Sequence, residues 1–185
     1  MLFRSALARS RPGELNAGSS GNGSGSHLAL ELFNKMAGVR ITRIAYNGDG
    51  PANIDLLGGH VSVKFDNLST CLQNVRVGRL RALGVTAPAR TALLPEVPAI
   101  AEAVPGYQAS IFNGMVGPAA TPPEVLARVH AEIAKFVQSP ESRKRYAAQG
   151  VELQGSASPA EFSAYLKTEY VRWGKVMDDA GIKPE

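Results

Sequence analysis

The sequence contains one cysteine, Cys71, in 185 residues. A lone cysteine cannot close an intrachain disulfide, and no Cys/His spacing of a zinc site is present. Within Ser69-Thr-Cys-Leu72 it reads as a small buried residue rather than a nucleophile. His27, His60 and His130 stand far apart, and none sits in a metal-binding motif. Aromatic residues amount to 6% and form no stripe with basic ones. The net charge is only +4, with Lys and Arg interleaved among Glu and Asp. Nucleic acid is therefore not an expected partner. No segment is long and apolar enough to span a membrane. Met1–Pro12 carries Arg4, Arg9 and Arg11 but no continuous apolar run, so it does not read as a signal peptide. It reads instead as the tail of a helix, Phe3–Ser10, stopped by Arg11-Pro12-Gly13. A chain that starts inside a helix is expected to be truncated.

What is present is globular. Hydrophobic residues make up 44% and charged ones 19%, enough for one domain or two small lobes. The densest local signal is Gly18-Ser-Ser-Gly-Asn-Gly-Ser-Gly-Ser-His27, followed by apolar residues at helical spacing (Leu28, Leu32, Met36) and a Gly38 stop. Ser24 or Ser26 is a plausible N-cap. Such a loop brings glycine freedom, side-chain donors and the free N–H groups of a helix N-terminus together, and so can receive a carboxylate or phosphate. A plain flexible linker has the same composition. Gly21-x-Gly23 lacks the third glycine of a dinucleotide fingerprint, with Ser26 in its place. No preceding strand is evident, and no Gly-Lys-Ser/Thr follows. No cofactor is implied.

Up to about Tyr107, short elements alternate. Arg40–Tyr46, Val61–Phe65 and Leu80–Thr86 read as strands. Pro51–Leu57 and Leu68–Val77 read as helices, closed by Gly58-Gly59 and Gly78. This rhythm predicts βαβ units and a largely parallel sheet, the α/β class. Pro88–Pro105 reads as a loop with a short helix at Ile100–Ala103, and Gln108–Val116 as an extended crossover. Helices follow, with start signals at Thr121-Pro-Pro-Glu124, Ser139-Pro-Glu141 and Ser158-Pro-Ala-Glu161. The last, about Pro159–Ala180, places Phe162, Leu166, Tyr170, Trp173 and Val176 on one face before Gly181.

In open α/β sheets ligands sit at the carboxyl ends of strands. Asp66 and Asn67 follow such an end, although either could simply cap the next helix. Tyr46 also ends a strand, where a turn with the ring packed beneath is the plainer reading. A Ser–His–Asp triad from Ser24 or Ser26 with His27 and Asp66 is conceivable, giving a hydrolase-like or phosphate-handling enzyme as the alternative. No Gly-x-Ser-x-Gly elbow on a strand–turn–helix supports it.

These residues, in order, resemble the Bug family (Bordetella uptake proteins), the extracytoplasmic receptors of tripartite tricarboxylate transporters. The resemblance rests on Ser19-Ser-Gly-Asn-Gly-Ser-x-Ser-His-Leu28, Glu31-Leu-Phe-x-x-Met-Ala-Gly-Val39, Asp55-Leu-Leu-Gly-Gly59, Phe65-Asp-Asn67 and Gly78-Arg-Leu-Arg-Ala-Leu83. It continues through Leu94-Pro-Glu-Val-Pro98, Gly106-Tyr107 and Trp173-Gly-Lys-Val176. It runs from about Ala6 to the C-terminus. It implies a periplasmic-binding-protein-like lobe of the type II, Venus flytrap kind, with a mostly parallel sheet and C-terminal helices. It implies a non-enzymatic solute receptor that holds a small carboxylate (a di- or tricarboxylate, an amino acid or an aromatic acid) between two lobes and passes it to membrane subunits of the transporter. By the same resemblance it is periplasmic. Residues 1–107 would be most of lobe two, 108–120 the crossover, and 121–185 helices that pack on a first lobe absent from this chain. Those helices are expected to expose an apolar face and to favour self-association. The candidate ligand-binding set is Ser20, Gly21, Asn22, Gly23, Ser24, Ser26, His27, Tyr46, Asp66 and Asn67. Asn47 stands where a basic residue is common in the family, and Ala17 where an aromatic is common. A fragment that no longer binds is the remaining alternative.

Overall fold

The computed structural model describes Ser10 and residues 13–182. The expected helix Phe3–Ser10 lies outside the described residues, save for Ser10. The chain divides into two compact units, one up to Ile111 together with the chain from Lys175 onward, the other Phe112–Gly174.

The first unit is built on a three-stranded parallel sheet. Its strands are β1 (Asn16–Ser19), β2 (Thr42–Ala45) and β3 (Val63–Lys64), in the order β2-β1-β3. Helix α1 (Gly25–Ala37) connects β1 to β2, and α2 (Asp49–Gly58) connects β2 to β3. This is the α/β arrangement that the alternating elements predict. The central strand is the one the sequence conceals. Asn, Ala, Gly and Ser are poor strand formers, yet Ala17, Gly18 and Ser19 are all buried. A strand covered on both faces has no need of alternation, and small residues let its neighbours close in. Around Gly18, the Tyr46 ring, Val61 and Ala52 all lie within 3.7 Å of where a Cβ would be. Asn16 is held by its side chain, whose Oδ1 accepts from Ser62 N at 2.7 Å and Ser62 Oγ at 2.9 Å.

Helix α1 buries Ala29, Leu30, Phe33 and Ala37. The stripe Leu28, Leu32, Met36 is not the buried face; Met36 is exposed. Phe33 meets Phe65 and Tyr107 at ring distances of 5.7 and 5.9 Å. Tyr107 is 1% exposed, and its hydroxyl donates to Ala29 O at 2.9 Å. Gly38 ends α1 in the left-handed conformation, and Gly59 does the same for α2. Helix α3 (Leu68–Arg76) packs Leu72 against Leu94 and Val97.

The expected strand Leu80–Thr86 does not form. Only an isolated parallel bridge joins Val85 to Ala99, with Val85 N donating to Pro98 O and Ile100 N to Val85 O. Proline has no N–H to continue a ladder, so pairing stops at Pro98. Ile100–Glu102 is a single 3-10 turn. Glu102 accepts both Nε and Nη2 of Arg90, at 2.8 and 2.9 Å, and the N–H of Ala99. The Arg90 guanidinium, first, and that N–H hold the Glu102 carboxyl down to about 2.

The second unit carries α4 (Pro123–Gln138), α5 (Pro140–Ala148) and most of α6 (Pro159–Ala180). Thr121 does not cap α4; Pro122 occupies the cap position, and no side chain bonds there. Ser139 caps α5 as expected. At α6, Ser158 Oγ accepts from Glu161 N at 3.1 Å. Glu161 reaches Ala157 N rather than Ser158 N, so the capping box is shifted by one residue. Along α6, Tyr170 is 83% exposed and Glu169 is buried in its place. Glu169 accepts from Trp173 Nε1 and from the Arg172 guanidinium, which satisfies a carboxylate on an otherwise apolar face. Phe112, Phe162 and Tyr165 form an aromatic cluster. Val125, Leu126, Val129, Ile133 and Phe136 of α4 remain exposed.

Two outcomes follow from this packing. Glu102 titrates below its ordinary value in the folded chain. Its contribution is therefore full above the unfolded value of 4.5 and is lost as pH falls from there to about 2. Urea midpoints measured across that window should fall less steeply for Glu102→Gln than for the parent chain. The exposed apolar face of α4 should promote association. Sedimentation velocity should give a mean mass that rises with concentration, and Val129→Lys with Ile133→Lys should reduce that rise.

Candidate functional site

All three strands end on one edge of the sheet. Register pairs Gly18 with Lys64 and Ser19 with Ala45. Ser20 and Tyr46 follow β1 and β2 directly, and Asp66, two residues beyond β3, is level with them in register, so the three lie at the same end of the sheet. Tyr46 N donates to Ser19 O at 2.9 Å, and Gly48 N to Ser20 O at 3.1 Å. These bonds clasp the second exit onto the first.

Ser20–Ser24 joins β1 to α1, and Gly25 and Ser26 open the helix, so that Ser20–Ser26 forms the loop and its helical entry. Gly21 and Gly23 lie at φ +139 and +65, where side chains other than glycine are strained. Ser24 is the N-cap, its Oγ accepting from His27 N at 3.3 Å. Ser24 Oγ also donates to Gly21 O at 2.8 Å. A hydroxyl has one proton, so Ser26 must donate in the Ser24–Ser26 contact of 3.0 Å. Ser26 Oγ in turn accepts from Ser20 N at 3.0 Å and from Ser20 Oγ at 3.1 Å. The hydroxyl protons thus run one way, from Ser20 through Ser26 and Ser24 to a backbone carbonyl. What is left open is backbone. The N–H groups of Gly25 and Ser26 open α1 and take no acceptor among the described residues. No acidic residue occupies the first turn of α1, so nothing opposes the partial positive charge there. Asn22 and Gly23 lie exposed at the loop tip.

His27 is 5% exposed. Its Nδ1 accepts from Gly23 N at 3.1 Å. Burial, then the Arg43 guanidinium, lower its pKa from the ordinary value. Asp66 is held elsewhere, by Lys64. The ring of His27 bonds the backbone, and Ser24 Oγ donates to a carbonyl, so Ser24, His27 and Asp66 do not form the hydrogen-bonded chain of a triad. Among the described residues no cluster of three or more His, Cys, Asp or Glu could hold a metal. Burial pushes the half-buried Cys71 thiol up to about 11, which removes it as a nucleophile near neutrality.

Tyr46 is packed beneath its turn. Its ring lies against Gly18 and its hydroxyl donates to Asp55 Oδ2 at 2.7 Å. Asn67 occupies the N-cap position of α3 but makes no side-chain cap bond. Asp66 does not cap that helix by the usual reach of two or three residues. Its Oδ1 accepts from Asn67 N at 3.0 Å and from Lys64 Nζ at 2.8 Å.

The profile of the tripartite tricarboxylate transporter family receptor matches residues 5–182. The chain belongs to this receptor family. Among its relatives, BugT of Bordetella pertussis is 34% identical over 179 residues, which is 96% of this chain and 55% of that protein. An R. palustris protein solved with adipate is 36% identical, with a TM-score of 0.89, over 100% of this chain and 62% of the other. The periplasmic binding protein BugD superposes with a TM-score of 0.81 at 25% identity, over 100% of this chain and 62% of that one. The chain spans about half the length of the curated relatives it matches.

The receptor chain also uses residues that motif reading passes over. Lys64 has a side chain that is 0% exposed. Its Nζ donates to Asp49 Oδ1 at 2.7 Å, Asn53 Oδ1 at 2.8 Å and Asp66 Oδ1 at 2.8 Å, so all three ammonium protons are used. Oδ2 of Asp66 is buried without a partner among the described residues. Arg43 is the second such residue, near His27 and 3.5 Å from Ser19 Oγ. A lysine within Val61–Phe65 gives no motif, but an interior lysine two residues before an aspartate is the signal that was available. Removing the cation strands the buried Asp66 carboxylate. Lys64→Met should therefore destabilise the chain by about 3 kcal/mol in urea unfolding, and adding Asp66→Asn should restore part of that loss.

Proposed function

We propose that this chain is the anion-receiving part of a periplasmic solute receptor that captures a small carboxylate by non-covalent binding. Membership of the receptor family supports the reading. The observation that carries it is the pair of open N–H groups, Gly25 and Ser26, at an N-terminus ringed by Ser20, Ser24 and Ser26. A carboxylate oxygen bound there would receive charge-assisted bonds from the backbone. Ser20 would add a third donor. Ser26 Oγ keeps the Ser20 N–H as a donor, so the Ser20 hydroxyl can turn to a ligand without leaving Ser26 unpaired. The similarity to a protein solved with adipate supports a small aliphatic diacid as the first probe.

In this reading the second wall comes from the part of the relatives' length that this chain does not span, and the closed receptor delivers its ligand to membrane subunits of the transporter. One wall buries little of a ligand, and affinity depends on enclosing most of it. The chain by itself should therefore bind adipate only in the millimolar range. Amide NMR of the chain tests this. Adipate should move the Gly25 and Ser26 signals first, and Ser24→Ala should weaken the response several-fold by loosening the cap. Signals in the Ser20–Ser26 loop that stay fixed while adipate rises to saturating levels would overturn the assignment.

A further inference from the structure

We propose that His27 is a positioning residue, whose unprotonated Nδ1 fixes the Ser20–Ser26 loop by holding Gly23 N–H. The loop needs such a restraint. Two glycines at positive φ leave its tip with more conformational freedom than any other residues would. Gly48 N fixes its start by donating to Ser20 O, and two further devices act within it. The hydroxyl chain ties Ser20, Ser24, Ser26 and Gly21 to one another. It does not reach Gly23. Among the described residues the Gly23 N–H is taken by His27 alone, at 3.1 Å, and the His27 side chain is buried in the first turn of α1. Gly23 lies two residues before Gly25, so its anchor sets where the open N–H groups begin.

The acceptor is a lone pair that a proton can occupy. A neutral ring accepting at Nδ1 carries its hydrogen on Nε2, and that nitrogen lies 3.9 Å from Glu31 Oε1. The charged groups that face the ring are Glu31 on its own helix and Arg43 on β2. The central strand β1 contributes no titratable side chain. Protonated His27 would turn a donor toward the Gly23 donor, and the bond would open. Burial and Arg43 oppose that proton, which keeps the anchor in place at neutral pH. Because the folded value lies below the unfolded value of 6.5, stability from this site is full above 6.5 and declines as pH falls below it.

The test is amide NMR of the full chain without ligand, from about pH 8 to about pH 5, following the Gly23 amide and the His27 ring together. The Gly23 signal and its exchange protection should titrate with the ring, at a midpoint below 6.5. In His27→Asn, where Oδ1 replaces Nδ1 as a fixed acceptor, protection should persist and the pH dependence should vanish. In His27→Leu, protection of Gly23 should fall at least tenfold at every pH. If the leucine variant does not fold, the parent titration and the asparagine variant decide. A Gly23 amide that stays constant while His27 titrates overturns the proposal. So does a folded leucine variant with Gly23 still protected. Because no ligand is used, this outcome is independent of the receptor reading. Unmoved loop signals on adding adipate, beside an intact Gly23 titration, would remove that reading and leave His27 in its role.

Discussion

The parallel pairing of β1 with strands on both sides governs everything else at the candidate site. Because β1 is central, its two neighbours are fixed in register against it, and their three exits share one edge. Because it is covered on both faces, its residues must be small. Ala17, Gly18 and Ser19 are buried, and a Cβ at Gly18 would already touch Tyr46, Val61 and Ala52, so a side chain beyond alanine would displace one of them. The same tightness brings Tyr46 over the strand, where its hydroxyl reaches Asp55. The strand then hands the chain to a glycine-serine loop that turns directly into a helix. A phosphate or carboxylate site of this kind needs no cationic side chain, only backbone dipoles aligned by the fold.

Much of this was legible in the sequence where local chemistry decides the outcome. Gly38 and Gly59 end helices because only glycine takes a left-handed C-terminal position cheaply. Ser24 and Ser139 cap helices by accepting an N–H. The bounds of Pro159–Ala180 were read directly from its proline and glycine. Where long-range packing decides, local reading fails. Strand β1 has the composition of a linker, and only the elements on each side make it a strand. Leu80–Thr86 has the composition of a strand, but its partner presents Pro98 and the ladder stops. Tyr170 has the period of a core residue, but the structure buries Glu169 and gives it Arg172 and Trp173.

The candidate site divides in the same way. The serine-glycine loop is conspicuous in the sequence, since its residue types are ones that permit a close approach to an anion. Its internal wiring does not. Nothing in the order of residues shows that Ser24 spends its proton on Gly21, or that Ser26 is consequently a donor to Ser24. Nor is Lys64 marked by any motif. It becomes informative only once β3 carries it inside, where Asp49, Asn53 and Asp66 converge on its ammonium. A buried lysine with three oxygen partners is a registration device more than a source of net stability. Its pairing with Asp66 fixes the backbone just before α3 on the edge where β1 hands over to the loop.

The electrostatic consequence is that the carboxylates near the loop are engaged away from the first turn of α1. Asp66 is matched by Lys64. Tyr46 donates to Asp55. Glu31 lies one turn along α1 from His27 rather than at the helix start. Arg43 stands close enough to bear on His27. The first turn of α1 is thus left with its partial positive charge unopposed by any acidic residue of its own. A site built this way gains most when water is excluded, because partial charges act over short range and bulk solvent competes for the same N–H groups. The loop supplies direction and the fold supplies alignment. The low dielectric that would make those bonds strong has to come from whatever covers them.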